Sequence, residues 1–124
     1  MKILIVDDDA DILGMMSRLF TQRGHAVETW RGPFGVSAKA LRTAPELILL
    51  DVMMPALDGI ALSELLTCME LDPPPVIALW SADGDALDRA ARETGLPVLS
   101  KHADPQEVIA WIEQLDVARR RPRV

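Results

Sequence analysis

The chain has 124 residues, 49% of them hydrophobic and 26% charged, with a formal net charge of −6. That length holds one core and one domain, and the composition is that of a folded chain rather than a disordered one. Arg119, Arg120, Arg121 and Arg123 crowd the last six positions, so residues 1–118 set nine basic against nineteen acidic residues, a balance of −10 that repels nucleic acid and anionic membrane surfaces. In chain order, Ile3–Val6 is a β-branched run suited to a strand buried on both faces. Residues 9–22 place Ile12, Met16, Leu19 and Phe20 at helical spacing, and Gly24 ends that helix. Ala26–Trp30 reads as a second strand. Gly32, Pro33 and Gly35 make a loop, and a short helix over roughly 36–43 precedes Pro45.

Leu47–Leu50 is the most apolar run and predicts the central strand. A loop over residues 51–59 follows, punctuated by Pro55 and Gly59, with Asp58 as the N-cap of the next helix. Leu62, Leu65, Leu66 and Met69 give that helix one apolar face. After Pro73–Pro75, Val76–Trp80 is a fourth strand. Residues 84–94 form a weaker helix whose inward side is Leu87, Ala90 and Ala91. Val98–Ser100 is a short fifth strand. Asp104 caps a last helix that starts at Pro105 and places Val108, Trp111, Ile112 and Leu115 on one face. Strands separated by helices imply parallel pairing with right-handed crossovers, so the expectation is an α/β domain, (βα)5, with helices on both faces of a doubly wound five-stranded parallel sheet.

One cysteine, Cys68, excludes an internal disulfide and a multi-cysteine zinc site. Ile3–Val6 is too short for a secretory signal and ends in three aspartates, and no stretch approaches the ~18 apolar residues of a membrane span. A cytoplasmic location is expected. In a chain of this length no DNA-binding domain is expected beside this one.

In such a sheet, function collects at the carboxyl ends of the strands. Asp7, Asp8 and Asp9 follow the first strand, Asp51 the third, Ser81 and Asp83 the fourth, and Ser100 and Lys101 the fifth. Carboxylates held together repel one another unless a cation compensates, and a hard divalent ion with oxygen ligands, Mg²⁺ above all, answers that need. A carboxylate beside Mg²⁺, a lysine and a hydroxyl is a phosphoryl-transfer constellation, in which the carboxylate is the nucleophile and becomes an acyl phosphate.

The runs ILIVDDD at 3–9, LILLDVMMPALDG at 47–59, SAD at 81–83 and LSKHADPQEV at 99–108 resemble a bacterial response-regulator receiver domain over residues 1–118, with 119–124 a basic tail or the start of a linker. The resemblance implies a flavodoxin-like strand order of 2-1-3-4-5. It implies Asp51 as phosphoacceptor, and Asp8 and Asp51 as direct Mg²⁺ ligands. Asp7 would act through water and Met53 through its backbone carbonyl. Lys101 would pair with the phosphoryl oxygens, and Ser81 would be the hydroxyl drawn toward them. A histidine kinase or histidine phosphotransfer protein would be the donor. The output surface would be the fourth helix, fifth strand and fifth helix, open to a second copy or a separate effector. Such a chain is a signalling receiver that catalyses only its own phosphorylation and dephosphorylation.

The pattern departs from the family in four places. His102 follows Lys101 where a cis proline is usual, so either the turn is trans, which moves Lys101, or the strain of a cis bond is retained. Val98 stands where the family's switch aromatic sits. Trp80 precedes Ser81 where an aliphatic is common, and an alignment from Pro75 would put Trp80 itself at the hydroxyl position; Ser81 is preferred because SAD matches the hydroxyl–small–polar run. The segment between Gly95 and Lys101 is about one residue short. These departures leave a second reading, a phosphorylation-independent interaction module of the same fold. A flavodoxin-like cofactor binder is a third, opposed by the acidic pocket and by the missing phosphate loop after Val6. Among the remaining residues, His102 reads as a loop histidine and His25 as a cation favoured by a helix C-terminus. Cys68 reads as a small apolar residue, and Trp111 as core or interface.

Overall fold

Ten elements alternate along the chain: β1 (Lys2–Asp7), α1 (Ala10–Gln22), β2 (Ala26–Arg31), α2 (Val36–Thr43), β3 (Leu47–Asp51), α3 (Gly59–Cys68), β4 (Val76–Ser81), α4 (Gly84–Thr94), β5 (Val98–Ser100) and α5 (Pro105–Arg120). The computed structural model describes residues 1–120, and the part of the expected basic tail beyond Arg120 lies outside the described residues. The strands form one parallel sheet in the order β2-β1-β3-β4-β5, as the resemblance implied. None of the helices among the described residues is long and apolar enough to cross a membrane.

Alternation along the strands divides the core into two layers. Leu4, Val6, Ile48, Leu50, Ile77 and Leu79 face one side, where α2, α3 and α4 contribute Val36, Ala40, Ile60, Leu62, Leu66 and Ala90. Ile3, Ile5, Leu47, Leu49, Ala78 and Trp80 face the other, against Leu13, Met16 and Phe20 of α1 and Val108, Ile109 and Ile112 of α5. β1 and β3 are covered on both sides, which is why their sequences are continuous apolar runs rather than alternating ones.

Aspartates start four of the helices. Asp9 accepts from Asp11 N and Ile12 N, Asp58 from Ala61 N, Asp83 from Asp85 N and Ala86 N, and Asp104 from Gln106 N. Each satisfies N–H groups that have no partner inside the helix.

Two expected helix faces, those of α3 and α4, and one charge state need correction, while the faces of α1 and α5 pack as expected and gain Leu13 and Ile109. In α1 the buried residues are Leu13, Met16 and Phe20, with Ile12 and Leu19 only partly covered. In α3 Leu65 is exposed, because the helix rests on the stripe Gly59, Ile60, Leu62, Ser63 and Leu66 and Leu65 lies off its flank. In α4 Ala90 is the buried residue, Ala86 packs beside it, and Ala91 is exposed. In α5 Ile109 joins the buried face, while Trp111 and Leu115 are partly covered. His25 is buried, and its Nδ1 lies 3.0 Å from the amino terminus. Burial first, and then that ammonium, lower its pKa, so the expected favoured cation is not what the fold holds there. Cys68 is exposed at the end of α3.

Candidate functional site

The register places the pocket. Ile5 pairs with Leu49 and Val6 with Leu50, so Asp7 and Asp51 end neighbouring strands at one level, and Asp51 pairs with Trp80 on β4. By alternation the side chains of Asp7, Asp51 and Trp80 leave the sheet on the same side. Asp7 is fully buried and Asp51 is 2% exposed. Asp8, half-buried, stands beside them, and carboxylate oxygens of Asp7, Asp8 and Asp51 all lie within 4.8 Å of one another.

Local backbone holds each carboxylate. Asp7 Oδ1 accepts from Asp9 N at 2.9 Å, and Asp51 Oδ1 from Met53 N at 3.2 Å. The loop after Asp51 closes on itself, with Gly59 N donating to Val52 O at 2.8 Å. Gly59 is required there. A Cβ at that position would stand 2.2 Å from the Asp51 carbonyl oxygen and 2.9 Å from Val52 Cα. The glycine of the DVMMPALDG run therefore lets α3 begin against the main chain of Asp51 itself.

Lys101 completes the pocket from β5's end. Its N–H donates to Ser81 O at 2.9 Å, and its ammonium lies 2.8 Å from Asp7 Oδ2 and 3.2 Å from Asp51 Oδ2. Among the described residues the cis peptide bond is Asp72–Pro73, so Lys101–His102 is trans, and the lysine still bridges both carboxylates. The 2.8 Å approach to Asp7 Oδ2 pairs the ammonium with a buried carboxylate oxygen.

Ser81 is buried one residue beyond Trp80, on the α4 side of β4, and its Oγ accepts from Asp83 N at 3.1 Å. The fold brings Asp7, Asp8, Asp51 and Lys101 together and ties Ser81 to the first turn of α4. Trp80 lies beside the site, as its place at the end of β4 leads one to expect, and carries the Lys101 ammonium 5.0 Å from its ring centroid. One neighbour escaped the sequence reading. Arg31 ends β2, and its Nε donates to Asp8 O at 3.1 Å beside an open cleft of about 440 Å³ lined by Asp8, Asp9, Ala10, Asp11 and Arg31. A survey of strand ends that includes β2 finds Arg31.

Electrostatics single out Asp51. Burial, and then the neighbouring charge of Asp7, push its pKa up to about 7; Lys101 and the Met53 N–H pull the other way without prevailing. Burial pulls Lys101 down, but Asp7 and Asp51 outweigh it and its pKa is raised. Asp7 and Asp51 share the Lys101 ammonium, and Asp8 stands beside them. The clustered carboxylates and their all-oxygen donor set fit a hard divalent cation.

Comparison with known proteins gives one consistent result. Residues 3–113 match the family described as "Response regulator receiver domain". The transcriptional regulatory protein PrrA of Mycobacterium leprae is 34% identical over 90 residues, covering 73% of this chain and 38% of that protein. The DNA-binding transcriptional regulator NtrC of Salmonella typhimurium is 28% identical over 112 residues, covering 90% of this chain and 24% of that protein. The chain therefore spans well under half the length of these relatives. Among solved structures, the BeF3-activated N-terminal receiver domain of Klebsiella pneumoniae RstA superposes with a TM-score of 0.82 at 20% identity, covering 92% of this chain and 97% of that one. The signal receiver domain of a signal transduction histidine kinase from Syntrophus aciditrophicus gives 0.82 at 23% identity, covering 98% and 94%.

Proposed function

The chain belongs to the response regulator receiver domain family, a family of signalling modules, and on that premise we propose that it is a phosphoacceptor of a two-component phosphorelay with Asp51 as the acceptor. The observation that carries this reading is the lysine bridge: the Lys101 ammonium spans the buried Asp7 and Asp51 at 2.8 and 3.2 Å at the carboxyl edge of the sheet.

In the proposed reaction an ionised Asp51 oxygen attacks the phosphorus of a phosphohistidine on a histidine kinase or phosphotransfer protein. The O–P bond forms as the P–N bond breaks, and the leaving imidazole nitrogen takes up a proton. Lys101 follows the charge from the Asp51 carboxylate onto the phosphoryl oxygens. Asp8 and Asp51 would hold Mg²⁺ directly, Asp7 through water and Met53 through its backbone carbonyl. The ion would supply charge neutralisation at the phosphoryl oxygens.

Ser81 Oγ reaches the phosphoryl group by releasing the Asp83 N–H, which couples an occupied Asp51 to the first turn of α4. The output surface in this reading is α4–β5–α5, available to a second copy or a separate effector. The acidic body argues against direct nucleic-acid or membrane binding. The chain works in the cytoplasm and catalyses only its own phosphorylation and dephosphorylation.

The test is incubation with Mg²⁺ and acetyl phosphate, read by intact mass. The chain gains one phosphoryl group, and Asp51→Asn gains none. A label that persists in Asp51→Asn overturns the assignment.

The second reading keeps the fold without the chemistry, as a phosphorylation-independent interaction module. Val98, in place of the family's usual aromatic, favours it. Beryllofluoride with Mg²⁺ separates the two, because Trp80 lies beside Lys101. A change in tryptophan fluorescence supports the acceptor, and its absence supports the module.

A further inference from the structure

Trp80 is 3% exposed, and its indole Nε1 is buried without a hydrogen-bond partner. An unpaired buried N–H is costly, so the contacts of the ring must offset it. The ring does two things. One is packing in the α1/α5 layer of the core. The other is to lie 5.0 Å, centroid to Nζ, from the Lys101 ammonium. That ammonium therefore meets Asp7 from β1, Asp51 from β3 and the indole from β4. An aliphatic side chain at position 80 would supply apolar packing alone. It would lack the negative π-face that attracts a desolvated cation.

The turn that carries Lys101 gives a second reason. Its peptide bond to His102 is trans and has no proline to stiffen it, and β5 is a three-residue edge strand that is only partly buried. The main chain anchors Lys101 through its N–H to Ser81 O, and the contacts of its ammonium set where the long side chain ends.

We propose that Trp80 is a positioning residue for Lys101: its indole face seats the ammonium between Asp7 and Asp51, where the phosphoryl oxygens arrive. The proposal rests on Asp51 being the acceptor. It adds a residue that acts through Lys101 and touches no reacting atom.

The chain's three lysines make the test direct. In a lysine-labelled sample the ε-CH2 resonance of Lys101 is displaced upfield by the ring current. Lys39, 5.8 Å from the Trp30 centroid, shows a weaker displacement, and Lys2 serves as reference. Trp80→Leu abolishes the Lys101 displacement and leaves that of Lys39 in place, while Trp80→Phe retains part of it. With Mg²⁺ and acetyl phosphate, Trp80→Leu lowers the maximal rate of Asp51 phosphorylation by about three- to thirtyfold at an unchanged half-saturating donor concentration, and Trp80→Phe falls between. A wild-type Lys101 resonance without upfield displacement overturns the proposal whether or not Trp80→Leu folds. So does a folded Trp80→Leu with the wild-type rate, or a folded Trp80→Phe as slow as Trp80→Leu. Failure of the wild-type chain to label at Asp51 counts against the acceptor reading alone, because the Lys101 resonance is measured without any donor.

Discussion

The two sides of β4 are built differently. On one side, β1 and β3 are closed in by helices: Ile3 through Val6 and Leu47 through Leu50 are all at most 1% exposed, and the carboxylates continue that burial to the strand ends. On the other side, α4 buries Ala90, with Ala86 partly covered beside it, and every residue of β5 is partly exposed. Charge is concentrated where nothing can yield, and the neighbouring element buries one alanine fully, with Ala86 and Leu87 partly covered. A perturbation at Asp51 meets a stiff floor and a loose wall, so movement is expected in the wall.

The contrast can be broken from either side. The largest effect is expected from Lys101→Met, which leaves Asp7 and Asp51 buried without their shared cation and should cost about 3–5 kcal/mol at pH 8. The loss should shrink below about pH 6, where Asp51 escapes its charge by taking a proton. Urea unfolding at the two pH values checks it. Asp51→Asn should act in the opposite direction. Folded Asp51 keeps its proton up to about pH 7, whereas its ordinary pKa is 3.8. Ionisation therefore opposes folding: the penalty is absent below about pH 4, grows between the two values and is complete above about pH 7. The substitution should stabilise by a few kcal/mol at pH 8, at ~1.4 kcal/mol per tenfold in proton affinity, and by little near pH 4. Added Mg²⁺ should stabilise the parent chain at pH 8 and erase most of that advantage.

A matched pair sharpens the comparison. Val6→Ala on the closed side should cost about 2–3 kcal/mol, and Val98→Ala on the loose side about 1 kcal/mol or less, because the same two methyl groups are fully buried in one strand and half-buried in the other. The smallest change is expected at Ala56, which has a φ of +74° in the loop after Asp51. A Cβ is strained there, so Ala56→Gly should raise stability by up to about 1 kcal/mol, visible as a higher midpoint with an unchanged slope.

Much of this was legible in the sequence because it depends on spacing alone. All five expected strands match the observed bounds within a residue at each end, and Asp58 and Asp104 cap where expected, since a cap needs only its own next turn. The strand-end survey found Asp7, Asp8, Asp51 and Lys101 before any fold was known. What was not legible depends on register. A slip of one residue exchanges the two faces of a strand, and only the pairing of Asp51 with Trp80 shows that the indole lies on the Asp51 side while Ser81 faces α4. Helix faces were only partly legible for a related reason. Ile12 and Leu13 are both apolar, and their spacing does not say which of them the sheet will cover. His25 failed because burial and a charge from the other end of β1's edge outweigh the helix terminus just before it.

Gly59 leaves no room for a Cβ against the main chain of Asp51. Variation in a lineage of such chains is therefore channelled. The junction between β3 and α3 tolerates a hydrogen atom and nothing larger, while the exposed positions of α4 are open to almost any polar residue. If that flank is the output surface, as proposed, it can change while the main chain at Asp51 stays as it is.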